Sequence, residues 1–209
     1  MPRAGLDPAR VAEAAAQIAD ARGLHEVSLQ AVADRLGVRT PSLYNHVDGL
    51  PALRRLLALD GMRGLREALA AAALGRSGAE AVRAMALAYR AFAHAHPGRY
   101  AAAQAAPPRD DAEAQAQALA VVEVVFAVLR GFDIDSDDLI HATRGLRSAM
   151  HGFIALESAG GFGLPAARDE SYRRLVDVVI AGLRTSVRRA RSETPAPPRR
   201  RPAAKARRR

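Results

Sequence analysis

The sequence predicts an all-α protein: an N-terminal three-helix unit of the helix-turn-helix kind, then a larger helical bundle, about nine helices in total. Three observations carry this. Apolar residues recur at helical spacing along most of the chain, with no alternating strand pattern and no internal repeat. The apolar fraction is 49%, much of it alanine, while only 4% of residues are aromatic, a balance that favours helix over sheet. Helix starts and stops punctuate the chain at short intervals. The 209 residues suffice for one medium domain or two small ones with a real core.

Asp7-Pro8 reads as an N-cap followed by proline at the first helical position. Val11, Ala14, Ala15 and Ile18 form that helix's apolar face, and Gly23 stops it. Ser28 caps a second helix with Val32, Ala33 and Leu36 inward, ended by Gly37. Thr40-Pro41 repeats the cap-plus-proline signal and opens a short third helix, with Leu43 and Val47 inward; Asp48-Gly49 breaks it. A fourth helix follows on Leu53, Leu56, Leu57 and Leu65. Beyond residue 75 the helices lengthen. They are expected over 79–96, 98–105, 110–130, 136–158 (Ser136 as cap) and 169–188, separated by GRSG, His96-Pro97-Gly98, Pro107-Pro108, Gly131 and GGFGLP. The segment TPAPPRRRPAAKARRR is low-complexity and expected to be disordered.

Charge is unevenly placed. Residues 188–209 hold ten basic side chains and one acid, so they carry the whole formal excess of +9, and residues 1–187 are balanced. Overall basicity therefore argues about the tail alone. No cysteine is present, which excludes disulfides and cysteine-based chemistry. No run reaches about 18 apolar residues, and the N-terminus lacks a signal-like apolar stretch, so a cytoplasmic, nucleoid-associated protein without a membrane partner is expected. Asp133, Asp135 and Asp137 mimic a calcium loop, but Asp138 stands where glycine is needed and Arg144 where glutamate is needed. His94 and His96 are two apart, which is not metal spacing on a helix face. No nucleophile elbow or paired-carboxylate motif supports an enzyme, and no cofactor is expected.

Two short helices meeting at a tight glycine turn make a helix-turn-helix, whose second helix reads base edges in the major groove. Thr40, Ser42, Tyr44 and Asn45 project away from Leu43 and Val47. Thr and Ser bond several base edges, Asn pairs with adenine, a tyrosine hydroxyl suits a phosphate, and Arg39 adds charge beside them. The stretch SLQAVADRLGVRTPSLYNHV (28–47), behind a helix ended by Gly23, resembles the DNA-binding domain of the tetracycline-repressor (TetR) family through Val32-Ala33, Leu36-Gly37-Val38 and Leu43-Tyr44-x-His46. HGFIALESAGGF (151–162) resembles a segment of the C-terminal domains in one branch of that family. The resemblance implies a DNA-contacting set of Ser28, Gln30, Arg39, Thr40, Pro41, Ser42, Tyr44, Asn45, His46 and Leu50. Leu50 departs from the family, which usually has a phosphate-contacting lysine there, so only its backbone N–H can serve.

The resemblance also implies a homodimer and a small-molecule effector. Small residues Ala142, Gly145, Ala149 and Gly152 line one stripe of the 136–158 helix. With Leu175, Val176, Val179, Leu183 and Val187 of the last helix they make a candidate dimer face, and intrachain packing is the competing reading. Arg144, Arg147 and His151 share another face, and with Tyr89, Phe92, Tyr100, Phe126 and Met150 they make the candidate ligand pocket. The expected layout is a DNA-binding domain over 1–50, an effector and dimer domain over 51–188, and a basic tail over 189–209. The function expected is a one-component regulator, a repressor of an operator in double-stranded DNA. The rival is an architectural binder acting through the arginine tail without sequence choice.

Overall fold

Asp7 accepts the backbone N–H of Arg10 at 2.8 Å and opens α1 (Pro8–Arg22), as the cap signal requires. The computed structural model describes residues 6–132, 134 and 136–193, with the side chains of 136, 137 and 186–193 excepted. After a single 3₁₀ turn at Leu24–Glu26, α2 (Leu29–Leu36) is capped by Ser28, whose hydroxyl accepts the Ala31 N–H at 3.1 Å. Gly37 ends α2 at φ +66°, in the left-handed region that glycine tolerates, and its N–H returns to Ala33 and Asp34.

The third helix departs from expectation. Thr40–Asn45 is a 3₁₀ helix, with Ser42 N–H bonded to the Arg39 carbonyl and His46 N–H to that of Leu43, each at 2.9 Å. Thr, Ser, Tyr and Asn are poor helix formers in so short a run, and the tighter i→i+3 turn results. Then come α3 (Gly49–Ala73), α4 (Gly78–Ala95), α5 (Pro97–Ala102), α6 (Ala112–Leu129), α7 (Ser136–Ser158) and α8 (Arg168–Glu193), with another 3₁₀ turn at Arg130–Phe132. Eight α-helices and the Thr40–Asn45 helix make the expected nine, and no strand occurs among the described residues.

Two apolar cores form. Val11, Ala15, Val27, Val32, Leu43, Val47, Leu53 and Leu57 build the first. Leu65, Leu69, Val82, Met85, Tyr89, Leu129, Leu146, Ile154, Tyr172 and Val176 belong to the second. Helix α3 serves both, giving Leu53 and Leu57 to one and Leu65 and Leu69 to the other. It starts beside the helix-turn-helix and ends inside the bundle, so the two cores share one rigid rod.

Three expectations need correction. Helix α8 continues to Glu193, so residues 189–193 are helical where the tail was expected to begin. The charged run Arg188–Glu193 contains no proline or glycine to stop it; Pro195 is the first breaker. Val176 and Leu183 point into their own bundle and are buried there, so intrachain packing wins at those positions. Residues 112–132 form a stretch long and apolar enough to cross a membrane by length and composition, although Glu113 and Glu123 interrupt a strict apolar run. That helix packs on α3 and α7, with 22% of the apolar stretch buried. The cap expected of Ser136, Val187 of the dimer face, Asp133, Asp135 and Asp137, and the tail beyond 193 lie outside the described residues or side chains.

Candidate nucleic-acid interface and effector cavity

On the helix-turn-helix, burial separates the two faces as the sequence implied. Leu43 and Val47 are buried, while Arg39, Pro41, Tyr44 and Asn45 are exposed, Tyr44 at 58%. A tyrosine this open contributes no core packing; its ring and hydroxyl are available to a partner. Gln30 and Thr40 come together: the Thr40 hydroxyl donates to Gln30 Oε1 at 2.7 Å, and Gln30 Nε2 donates to Asp34 at 2.7 Å. This relay ties the 3₁₀ helix to α2 and fixes the Gln30 amide before any DNA arrives. Ser42 is half-buried beside them. Ser28 spends its hydroxyl on capping. His46 closes the 3₁₀ helix through its backbone, and its ring makes no hydrogen bond to the described residues.

Leu50 lies partly buried against the first core, so its side chain is structural. Asp48 makes no side-chain cap of α3, which leaves the Gly49 and Leu50 N–H groups available, and Pro51 has none to give. The sequence reading missed Arg54. It is exposed one turn beyond Leu50 on the same face of α3. The i→i+4 spacing from Leu50 was the signal that would have found it.

A cavity of about 260 Å³ lies among α3, α4, α6, α7 and the 103–107 segment. Met62, Leu65 and Leu69 line it from α3, Tyr89 from α4, and Ala118, Val121, Val122 and Val125 from α6. Helix α7 gives Thr143, Leu146, Arg147 and Met150, and the α5–α6 connection gives Ala103 to Pro107. Of the expected pocket set, Tyr89, Arg147 and Met150 line the cavity. The others need correction. The facing stripe of α7 is 143–146–147–150, and Arg144 stands one position round it, exposed. Phe126 is likewise one position past the facing residue Val125, and packs at the edge of the second core. Phe92 is buried against α3, its ring 5.2 Å from that of His96. Tyr100 and His151 sit behind the wall: the Tyr100 hydroxyl is 3.1 Å from that of Tyr89 and 2.6 Å from His151 Nδ1. Burial, more than the hydrogen bond to Tyr89, raises the Tyr100 pKa above its ordinary value.

Helix α5 links the two regions. Asp20 of α1 accepts the N–H groups of Gly98 and Arg99, each at 2.9 Å, and Arg99 reaches Glu13 at 2.6 Å and Asp60 at 3.1 Å. The residues just after α5 then wall the cavity. A second link joins α3 to the start of α6: Arg55 Nη2 bonds Asp111 at 2.7 Å and Glu113 at 2.8 Å. The Arg55 guanidinium holds the Asp111 carboxyl down at about 2.

Comparison with known proteins fits this arrangement. Residues 11–46 match the family of bacterial regulatory proteins, tetR family, and residues 82–179 match the tetracyclin repressor-like C-terminal domain. The HTH-type transcriptional regulator YobS of Bacillus subtilis, itself uncharacterised, is 38% identical over 182 residues, covering 87% of this chain and 95% of YobS. A Rhodococcus protein of unknown function shares the fold at a TM-score of 0.73 and 24% identity, covering 87% of this chain and 98% of that one. ActR of Streptomyces coelicolor, solved in complex with (S)-DNPA, does so at 0.66 and 19% identity, covering 88% and 100%. With a helix-turn-helix that presents Tyr44 outward and a relative matched over nearly its full length, the chain belongs to the TetR family of bacterial transcriptional regulators.

Proposed function

We propose that the protein is a homodimeric repressor that holds an operator and releases it when a small molecule enters the cavity. The observation that carries this is the placement of α5, bolted to α1 at its N-terminus and continuous with the cavity wall at its C-terminus. Any ligand that displaces the 103–107 segment acts on the helix that steadies α1. Differential affinity for the two arrangements then shifts the population that fits DNA. The (S)-DNPA complex of ActR supports a ligand-responsive reading.

Arg39, Thr40, Pro41, Ser42, Tyr44, Asn45 and His46, with Gln30 behind them, read the major groove. The free N–H groups of Gly49 and Leu50 and the guanidinium of Arg54 meet phosphate, Arg54 replacing the missing lysine. Dimerisation uses Gly145, Ala149 and Gly152 of α7 with Leu175 and Val179 of α8, joined by Val178, which is exposed at 68%. A two-fold axis there sets two recognition helices about 34 Å apart on one face of the duplex. The domain layout is 1–50 for DNA, 51–188 for ligand and dimer, and a basic tail behind them; the resemblance of residues 151–162 supports the HGF- and GGF-containing branch. It works at the nucleoid in the cytoplasm.

The test is fluorescence anisotropy at about 0.15 M salt on DNA from upstream of its own gene, against a shuffled duplex. Full chain, chain ended at residue 193, and Tyr44→Ala are compared. A sequence reader keeps its preference without the tail and loses about 10- to 100-fold with Tyr44→Ala. An architectural binder does the reverse, and that result would replace this reading.

A further inference from the structure

We propose that the cavity takes an apolar, singly anionic ligand whose carboxylate, or comparable acidic head, sits on the Arg147 guanidinium beside the Thr143 hydroxyl. This rests on the reading of the cavity as the effector site. Among the described residues, Arg147 is the one charged residue that lines it; no Asp, Glu, His or Lys does. The opposite wall is aliphatic, with Leu65, Val121, Val122 and Val125. A charge moved from water into such a space is costly unless it is paired. An anion finds its partner in Arg147, whereas an ammonium finds no carboxylate.

The guanidinium has capacity to spare. Nη2 donates to the Gln104 carbonyl at 3.0 Å and to Gln104 Oε1 at 3.1 Å. Its Nε–H and Nη1 hydrogens make no hydrogen bond to the described residues. Either of them, together with an Nη2 hydrogen, makes the parallel pair of donors that a carboxylate takes in bidentate fashion. Thr143 lies one turn earlier on the same helix face. Its Oγ1 is buried and has no hydrogen-bond partner among the described residues. An unpaired buried hydroxyl beside a half-used guanidinium marks a place for ligand oxygen. The polar end of the ligand therefore lies on α7 and its hydrocarbon between α3 and α6.

The same contact explains a response. Gln104 Nε2 donates to the Tyr100 carbonyl at 3.1 Å, so Arg147 holds the C-terminal end of α5 through Gln104. A carboxylate competes for Nη2 and loosens that hold.

The experiment is isothermal titration calorimetry at pH 7 with octanoate, octanol and octylammonium, on the full chain, Arg147→Gln and Ala118→Trp. Octanoate should bind at least tenfold tighter than octanol, and octylammonium more weakly than both. Arg147→Gln should bring octanoate to the level of octanol, and Ala118→Trp should abolish all binding. Octanol or octylammonium binding as tightly as octanoate overturns the anion assignment, as does a preference that survives Arg147→Gln. In those outcomes octanol binding blocked by Ala118→Trp leaves the cavity as the effector site. Binding that survives Ala118→Trp lies elsewhere and overturns the proposal. No binding of any of the three overturns both the ligand class and the cavity reading.

Discussion

The Asp20 carboxylate accepts the backbone N–H of Arg99 at 2.9 Å, and the same oxygen takes the N–H of Gly98. One side chain of α1 thus satisfies two of the donors that open α5. Asp20→Ala leaves both unsatisfied in a partly buried place, which costs about 1–3 kcal/mol. Urea unfolding reads that loss. On the functional side, operator affinity without ligand should stay near that of the unaltered chain, while the change on adding ligand shrinks. A full ligand response in Asp20→Ala would show that α5 is not the coupling element.

Gly98 is fixed by closeness. A Cβ there would lie 2.2 Å from the Ala19 carbonyl carbon and 2.4 Å from its oxygen, and backbone cannot yield as a flexible side chain does. Gly98→Ala should therefore push α5 off α1 and cost about 1–3 kcal/mol or more. Gly64→Ala is the control, because its nearest neighbour is the Phe92 ring at 2.9 Å, which can rotate aside. Equal urea midpoints for the two variants would refute the tight α1–α5 docking.

Local signals were legible where local chemistry sets the outcome. Asp7-Pro8, Ser28, Gly37 and the alternation of Leu43 and Val47 with Tyr44 and Asn45 placed the N-terminal helices and the outward face correctly. Only the kind of helix at 40–45 differed, since propensity and a six-residue length favour the tighter turn. The cavity was legible in part. Arg147, Tyr89 and Met150 were found from spacing on single helices. Which face of α6 meets which face of α7 depends on rotation about each axis, and one residue is 100° of turn. Phe126 and Arg144 were lost to that single step. Gln104 and Thr143 matter through a carbonyl and an unpaired hydroxyl, and neither leaves a trace in hydropathy.

Acid should unpick the junction of α4, α7 and α8. Arg90 bonds both Glu157 oxygens, at 2.9 and 2.6 Å, His94 adds a contact at 2.9 Å, and the glutamate is 8% exposed. The Arg90 hydrogen bonds hold the Glu157 carboxyl at about 2, below its usual 4.5. A depressed folded-state pKa contributes stability that is full above about 4.5 and lost as pH falls towards 2. The loss is on the order of 2–3 kcal/mol. Glu157→Gln should be less stable than the unaltered chain at pH 7 and should flatten the stability profile between pH 5 and 2.5. Parallel profiles for the two proteins would assign the acid sensitivity to other carboxylates.

Two glycines on α7 can decide whether a second copy covers that helix. A Cβ at Gly145 or Gly152 would meet nothing within 4 Å among the described residues of the single chain. In an uncovered helix, Gly→Ala stabilises by about 0.5–1 kcal/mol, because alanine loses less backbone entropy on folding. Against a closely packed partner helix the same methyl forces the two backbones apart. The proposed dimer therefore predicts that Gly152→Ala weakens self-association in sedimentation equilibrium, even as the monomer's own helix gains. Val178→Glu provides the charge counterpart: the valine is 68% exposed in one chain, so glutamate there costs a monomer little, but burying it unpaired in an interface is costly. A monomeric Val178→Glu that unfolds at the urea concentration expected for an isolated subunit would place α8 in the dimer. A Gly152→Ala variant that is simply more stable, with its association constant unmoved, would instead leave α7 facing water and send the search for the dimer contact to another face.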